Sequence, residues 1–119
     1  MANFIHITPT SVSMQIGVVF FRQDNCIIAY CPSLDLSGYG ANAEDAKEDF
    51  KFIVSDYITE QMKNNTLKKD LLQHGWTLHE DKALEPTLVQ MAMSNKHFEK
   101  ITREQYEKRN IRLSQPCFA

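Results

Sequence analysis

The sequence predicts an α+β fold: a three-stranded antiparallel sheet packed on one long helix (β-β-β-α), with an additional C-terminal α/β extension. Two segments, beginning near residues 12 and 26, have the apolar patterns of strands and are joined by a polar turn. Behind them, apolar residues recur at helical spacing between positions 46 and 58. We therefore expect a single domain over residues 1–119, with a β-β-β-α core over 12–64 and an extension over 65–119.

The first two strands are predicted to form a hairpin. A strand is predicted over residues 12–22, because its apolar residues alternate with Ser13, Gln15 and Gly17, which indicates one face in the core. Val19 and Phe21 break the polar side and predict that the far end is covered on both faces. The run Gln23-Asp24-Asn25 has turn chemistry, and the apolar segment over 26–31 supplies the returning strand. Pro32 ends this strand because proline has no N–H to donate to a neighbour.

A third short strand and a tight entry into the helix follow. Residues 34–37 favour the strand, and Gly38 and Gly40 give the chain the freedom to turn sharply. Asn42 and Asp45 have capping-box spacing, in which Asn42 accepts from a first-turn amide and Asp45 reaches back. The long helix is therefore expected over residues 43–63, before the stop signal at 64–65. The apolar stripe that it buries consists of Ala46, Phe50, Ile53, Val54, Tyr57 and Ile58.

Beyond the core, a second short helix is predicted over residues 67–74. Gly75 is expected as its left-handed cap, with Leu72 and Trp76 as the apolar pair that closes the end. Trp76 is the only tryptophan, and its size favours a place in the core over an exposed binding platform.

The pattern after residue 80 leaves alternatives open. Residues 87–93 fit either a strand or a helix opened by Pro86, because short apolar runs fit both periods. Thr102 and Gln105 offer another capping box, which predicts a short helix over 103–109. Residues 111–118 then form a final extended segment, and Pro116 restricts it to a sheet edge or to a crossing between subunits.

Charge is distributed unevenly along the chain. The net charge is −2, yet residues 96–112 hold six basic and three acidic side chains, a local charge of +3. Such a segment is a candidate charged interface, and the alternative is a solvated helix face without a partner. The residues singled out for this interface are Lys100, Arg103, Lys108, Arg109 and Arg112.

The sequence lacks the spacing of catalytic and metal sites, so we predict no catalytic residue, no metal and no cofactor. Cys26 and Cys31 are an odd number of residues apart on one predicted strand, so they face opposite ways and cannot share an ion. The four histidines show no ligand spacing, Cys117 stands alone, and there is no Gly-x-Ser-x-Gly elbow. The first predicted strand also carries none of the carboxylates that a two-metal nuclease gathers.

The compartment is predicted from two further features. No apolar run approaches the roughly 18 residues that a membrane span needs. The N-terminus lacks the order of a basic region followed by an apolar one that a secretory signal has. With three cysteines and no such signal, we expect a cytoplasmic protein with free thiols.

Two motifs of the predicted core resemble the HicB family of antitoxins. They are Ala29-Tyr30-Cys31-Pro32-Ser33-Leu34 and Gly40-Ala41-Asn42-Ala43-Glu44-Asp45-Ala46. The family shows a strand ending in an "A-Y-x-P-x-L" pattern and, soon after, a "G-x-T-x-x-E-A" helix start; here Asn42 stands for the threonine and Asp45 for the glutamate. The likeness covers about residues 12–60, and Leu36-Ser37-Gly38 replaces the Pro-Gly-Cys often seen in the family.

The resemblance implies a function as well as a fold. It implies a unit similar to a truncated ribonuclease H fold without the catalytic carboxylates, and a non-catalytic protein that binds a small basic HicA-like ribonuclease toxin and masks its active site. Many family members add a ribbon-helix-helix or helix-turn-helix that binds operator DNA. The second half of this chain lacks both patterns, so DNA binding is not carried over.

Two other hypotheses stay open at this point. The first is a self-associating HicB-fold domain without a toxin, in which a dimer or larger homo-oligomer covers an exposed sheet edge, and the final extended segment, which ends in residues 116–119, suits strand exchange with a second subunit. The second is a nuclease or other hydrolase on a ribonuclease H-like sheet, with Asp35 as the carboxylate to test. The missing strand carboxylates disfavour it.

Overall fold

The computed structural model describes residues 3–116 as an α+β fold built on one antiparallel sheet. Its elements in chain order are β1 (Phe4–Ile7), β2 (Ser11–Gln23), β3 (Cys26–Cys31), β4 (Leu36–Gly40), α1 (Ala43–Lys63), α2 (Leu67–Gln73), β5 (Thr77–His79), β6 (Lys82–Leu84), α3 (Leu88–Ser94), α4 (Lys96–Thr102) and β7 (Glu107–Pro116). The α+β class and the antiparallel sheet are confirmed. The strand number is corrected from three to seven.

Strand β2 is the centre of the sheet because three strands pair with it. On one edge β7 follows it from Ser11, opposite Pro116, to Phe20, opposite Glu107. On the other edge β1 pairs with its first half and β3 with its second half. The remaining strands extend this second edge, which gives the order β4-β3-β2-β1-β6-β5.

The predicted hairpin is present, and the third strand is displaced. Strand β3 has the predicted bounds, and the turn before it places Asp24 at a φ of 52°, as two-residue hairpin turns require. Strand β4 covers Leu36–Gly40 instead of residues 34–37. The reason is a turn over 32–35, in which Asp35 has a φ of 55° and the Leu34 amide donates to the Cys31 carbonyl.

Helices cover both faces of the sheet. Helix α1 has the predicted bounds and buries Ala46, Phe50, Val54 and Ile58. These residues share one core with the inward-facing residues of β2 and with Leu67 and Leu71 of α2. On the opposite face, α3 and α4 form a smaller core with β2 and β3, which consists of Val19, Ile28, Tyr30, Met91, Phe98 and Ile101.

The end of α2 follows the predicted motif with one change of partner. Gly75 has a φ of 87°, its N–H donates to Leu72 C=O, and the Trp76 N–H donates to Leu71 C=O. These two bonds define a Schellman motif. Leu71 and Trp76 lie in the same core, whereas the predicted partner Leu72 is 55% exposed. The prediction that Leu72 packs against Trp76 is wrong. In a Schellman motif the apolar partner of Trp76 is the residue whose C=O accepts from the Trp76 N–H, which is Leu71.

The helical alternative for residues 87–93 is correct. Thr87 and Gln90 form a reciprocal capping box at the start of α3. This local hydrogen bonding fixes the helix, although the apolar pattern alone fits a strand equally well.

The helix predicted over 103–109 is wrong. Asn95, and not Thr102, caps the last helix by accepting from the Phe98 N–H, and α4 ends at Thr102. Strand β7 begins at Glu107 because its pairing with β2 overrides the local capping pattern. It includes the predicted extended segment as far as Pro116, whereas Cys117 and the rest of residues 117–119 lie outside the described residues.

Candidate partner-binding surface

The motif residues expected to shape the core are Pro32, Gly40, Asn42, Asp45 and Ala46, and the last four meet where α1 begins. A Cβ added to Gly40 would lie 2.3 Å from Ala46 N, and one added to Gly38 would lie 2.4 Å from Phe50 N. The helix backbone therefore rests directly on β4, and both glycines lie within the strand instead of forming the predicted sharp entry.

The predicted cap is confirmed for Asn42, whereas the partner predicted for the Asp45 side chain is wrong. The Asn42 side-chain oxygen accepts from the Asp45 N–H at 2.9 Å. The Asp45 carboxylate accepts from the side-chain amide of Asn42 at 3.3 Å, so the return bond joins two side chains and does not reach the backbone. Helix α1 thus begins at a satisfied cap, with Glu44 and Asp45 at the positive end of its dipole.

Pro32 lies apart from the other four, at the end of β3. It lines a cavity of about 500 Å³ together with Asp35 and His97. The Tyr30 hydroxyl donates to Asp35 at 2.7 Å and accepts from the Asn95 side chain at 2.9 Å. Burial, reinforced by the bond to Asp35, raises the pKa of Tyr30 above its ordinary value. Asp35, the carboxylate that the nuclease hypothesis singled out, thus accepts a hydrogen bond from the neutral Tyr30 hydroxyl.

The outward face of α1 is strongly acidic. Phe52 lies at its centre with 70% of its surface exposed. Glu48, Asp56 and Glu60 lie in the same row at four-residue intervals, and all are exposed. The exposed carboxylates of this helix are Glu44, Asp45, Glu48, Asp56 and Glu60, whereas Lys63 is its one exposed basic residue. We call these five carboxylates and Phe52 the acidic face.

The predicted charged interface is divided between two elements. Lys100 lies on α4, and Arg103, the residue that follows α4, forms an ion pair with Glu99 at 2.5 Å. Lys108, Arg109 and Arg112 lie on β7, where alternation places Arg109 on the α1 side of the sheet and the other two on the opposite side. The five residues therefore do not form one patch, because the helix expected to carry most of them is a strand.

A buried carboxylate that sequence reasoning missed closes a gap in the sheet. On the edge of β2, Gly17 lies between the parts paired with β1 and β3, and its N–H donates to both carboxylate oxygens of Glu85 at 3.2 Å. Ser33 donates to Glu85 at 2.5 Å and the Asn3 amide at 2.9 Å. Burial raises the pKa of Glu85 despite these three donors. No local sequence signal marks this residue, because its partners come from three distant segments.

The same network accounts for two candidate nucleophiles. Ser33 is fully buried, and its hydroxyl lies 3.2 Å from the Cys31 sulfur. Burial and the nearby charge of Glu85 raise the pKa of the Cys31 thiol to about 12. At neutral pH Cys31 is thus a protonated core thiol. Cys26 and Cys31 are both free, and they lie on opposite faces of β3 because their separation is odd.

The described residues contain neither a metal site nor a membrane-spanning helix. Within residues 3–116, no three His, Cys, Asp or Glu side chains are grouped so that they could hold a metal ion. None of the four described helices combines the length and apolar character needed to cross a membrane. No protein-family model, no curated protein and no solved structure matches the chain.

Proposed function

We propose that this protein is a non-catalytic binding protein of the antitoxin type, which holds a small basic protein against the acidic face of α1. The observation that carries the proposal is the arrangement of this face, in which exposed carboxylates flank an exposed phenylalanine along one row of a capped helix. A binding surface combines an apolar anchor at its centre with a polar rim, and this face presents both.

The two parts of the acidic face have different physical roles. The carboxylates attract a basic partner over a distance, which raises the association rate and disfavours acidic competitors. Phe52 supplies apolar area that is removed from water on binding, so it acts as the anchor that slows dissociation. Because α1 also packs against the sheet through four buried residues, the face is rigid before the partner arrives.

In this proposal the likeness of the two motifs to HicB antitoxins identifies the kind of partner. The partner is a small, basic, HicA-like ribonuclease toxin, and binding covers its active site. The motif residues Gly40, Asn42, Asp45 and Ala46 support the function indirectly, since they fix the start of the helix that presents the acidic face.

The experiment is co-expression with the product of a neighbouring reading frame that encodes a small basic protein, followed by affinity purification and measurement of the dissociation constant. We expect a stable complex whose affinity falls steeply with added salt. Phe52→Ala should weaken it at least about tenfold, as expected when a central aromatic anchor is truncated. The charge reversal Asp56→Lys should lower the association rate.

A matched control is the charge reversal Glu104→Lys, which changes the net charge equally at an exposed residue outside α1. We expect it to leave the affinity within about twofold of the original. Equal weakening by Glu104→Lys and Asp56→Lys would contradict a specific role of the acidic face. Purification without any small basic protein, from cells that produce both chains, would contradict the proposal as a whole.

A further inference from the structure

We infer that the free edge of β7 is a second binding site, at which an extended acidic segment of another protein adds as one more strand. This site is separate from the acidic face and does not depend on the proposed toxin. The inference rests on the backbone groups that the edge presents, on the charges that flank it and on the shape of the groove beside it.

The orientation of Gly17 shows which backbone groups of β7 point outward. Gly17 lies directly opposite Asn110 in the β2–β7 ladder, and its N–H points away from β7 to Glu85. Opposed residues of an antiparallel pair direct their groups either both toward or both away from each other. The N–H and C=O of Asn110 therefore point away from β2, and so do those of Lys108, Arg112 and Ser114 by alternation. Among the described strands, β2 alone pairs with β7, so this ten-residue strand is an edge strand.

The charges beside this edge are mostly positive. A groove of about 350 Å³ runs between β7 and α1, and Lys47, Lys51 and Arg109 are among its lining residues. On the other side of the sheet, Lys108 and Arg112 flank the same edge and are exposed. Glu107 is the only acidic residue of β7, and it pairs with Arg109 at 2.8 Å. Lys51 pairs with Glu48 of α1 at 3.9 Å, so Lys47, Lys108 and Arg112 supply the charge that no acidic residue of these two pairs offsets. The edge is thus electrostatically suited to an acidic strand.

The same charges argue against a second copy of this chain as the occupant. Basic side chains on an edge strand are a common device that prevents edge-to-edge pairing of identical subunits. Two β7 strands would bring Lys108, Arg109 and Arg112 of both copies together. Self-association therefore stays a prediction of the sequence that this edge disfavours.

The groove also indicates which side chains the added strand carries. Next to the basic part lies a smaller hollow of about 80 Å³, lined by Met14, Val54 and Leu113 among others. On the α1 side of the sheet, the incoming strand can therefore place a carboxylate near Lys51 and a small apolar side chain in the hollow. Side chains two residues apart face the same side of a strand, so the two features match an alternating acidic and apolar pattern.

The test measures binding of fluorescent peptides of about eight residues, the length of an ordinary strand, to the full chain by fluorescence anisotropy. The acidic probe repeats Glu-Thr-Val-Thr, and two controls replace its glutamate by glutamine or by lysine. A single-stranded oligonucleotide serves as the probe for nucleic acid. We expect binding of the acidic peptide alone, weakened by salt.

One pair of variants tests the backbone edge, and one double variant tests the charges. Asn110→Pro removes an outward N–H while leaving the β2–β7 ladder intact, and Asn110→Ala keeps that N–H while losing the same side-chain bond to Asn3. We expect Asn110→Pro to weaken acidic-peptide binding at least about tenfold relative to Asn110→Ala. The double variant Lys47→Gln with Lys51→Gln leaves β7 unchanged and should weaken binding about threefold or more.

Several results would overturn the inference. One is equal binding of the acidic and glutamine peptides, and another is peptide binding that Asn110→Pro does not affect although circular dichroism shows a folded protein. Oligonucleotide binding tighter than peptide binding would assign the groove to nucleic acid instead. Dimerisation of the chain that Asn110→Pro abolishes, seen by sedimentation, would assign the edge to a second copy. If Asn110→Pro does not fold, the double lysine variant decides, and its unchanged affinity contradicts the inference.

Discussion

Replacing Gly38 by alanine should push α1 away from the sheet. The added Cβ would lie 2.4 Å from Phe50 N, 2.7 Å from Phe50 Cα and 3.0 Å from Ala46 O. All three are backbone atoms of a helix, so no side-chain rotation relieves the overlap. Restoring a separation of 3.4 Å, where ordinary contact begins, requires a local shift of about 1 Å.

The energetic cost follows from what this shift disturbs. Helix α1 buries Ala46, Phe50, Val54 and Ile58 in the main core, and moving it loosens contacts of all four. Forcing extra volume into a close-packed core costs about 1–3 kcal/mol, and rigid backbone neighbours place this substitution at the upper end, about 3 kcal/mol. For 119 residues the unfolding entropy near 60 °C is about 0.25 kcal/mol/K, so the melting temperature should fall by about 12 °C.

The assay is urea and thermal unfolding, followed by circular dichroism and by the fluorescence of Trp76, the single tryptophan. Gly17→Ala is the matched control, since its Cβ would meet only side-chain atoms, Lys108 Cε and Glu85 Oε1, both at 3.3 Å, so that a shift of about 0.1 Å restores ordinary contact. We expect the control to change the free energy of unfolding by less than about 1 kcal/mol. A Gly38→Ala protein as stable as the control would refute the reasoning that backbone contact fixes α1.

Substitutions at three other residues test single contacts. Asn42→Ala should lower the free energy of unfolding by about 1 kcal/mol, and Asn42→Asp should restore most of it, both measured by urea unfolding. Trp76→Phe leaves the Ser33 carbonyl without its 2.8 Å bond to the indole N–H, which should cost about 1–3 kcal/mol in the same assay. Burial raises the pKa of Glu85 in the folded state above the value of about 4.3 that it has in the unfolded chain. Between these two pKa values the folded state binds more protons than the unfolded state, so the free energy of unfolding falls as the pH rises. Glu85→Gln should therefore gain stability relative to the original as the pH rises from about 4 to 7, and a difference that does not change with pH would contradict this sign.

The parts of the fold that could be predicted from sequence are those that local chemistry determines. The bounds of β3 and α1 match the structure because a turn at Asp24, a cap at Asn42 and long apolar patterns all lie within a few residues of one another. Gly75 could be placed for the same reason, since a left-handed cap requires glycine whatever the rest of the chain does.

The parts that could not be predicted depend on pairing between distant segments. Strands β1, β5 and β6 have only three or four residues each, too few for alternation to show, and they exist because neighbours complete their hydrogen bonds. The capping pattern at Thr102 is locally sound, yet pairing with β2 makes Glu107–Pro116 a strand. The network around Glu85 joins residues 52 and 82 positions apart, so no window of sequence contains it.

The two proposed binding surfaces follow from how one helix distributes its side chains. The row that contains Phe52 faces solvent and is acidic, whereas Lys47 and Lys51 lie beside it and line the groove along β7. The fold thus places opposite charges on neighbouring surfaces, which meet where Lys51 pairs with Glu48 at 3.9 Å. In the two proposals a basic partner binds the first surface and an acidic strand the second, so each ligand would be repelled from the site of the other. Binding at the sheet edge requires outward backbone N–H groups, whereas binding at the acidic face does not. Asn110→Pro, which removes one such N–H, should therefore weaken binding at the second site and leave the first site unchanged.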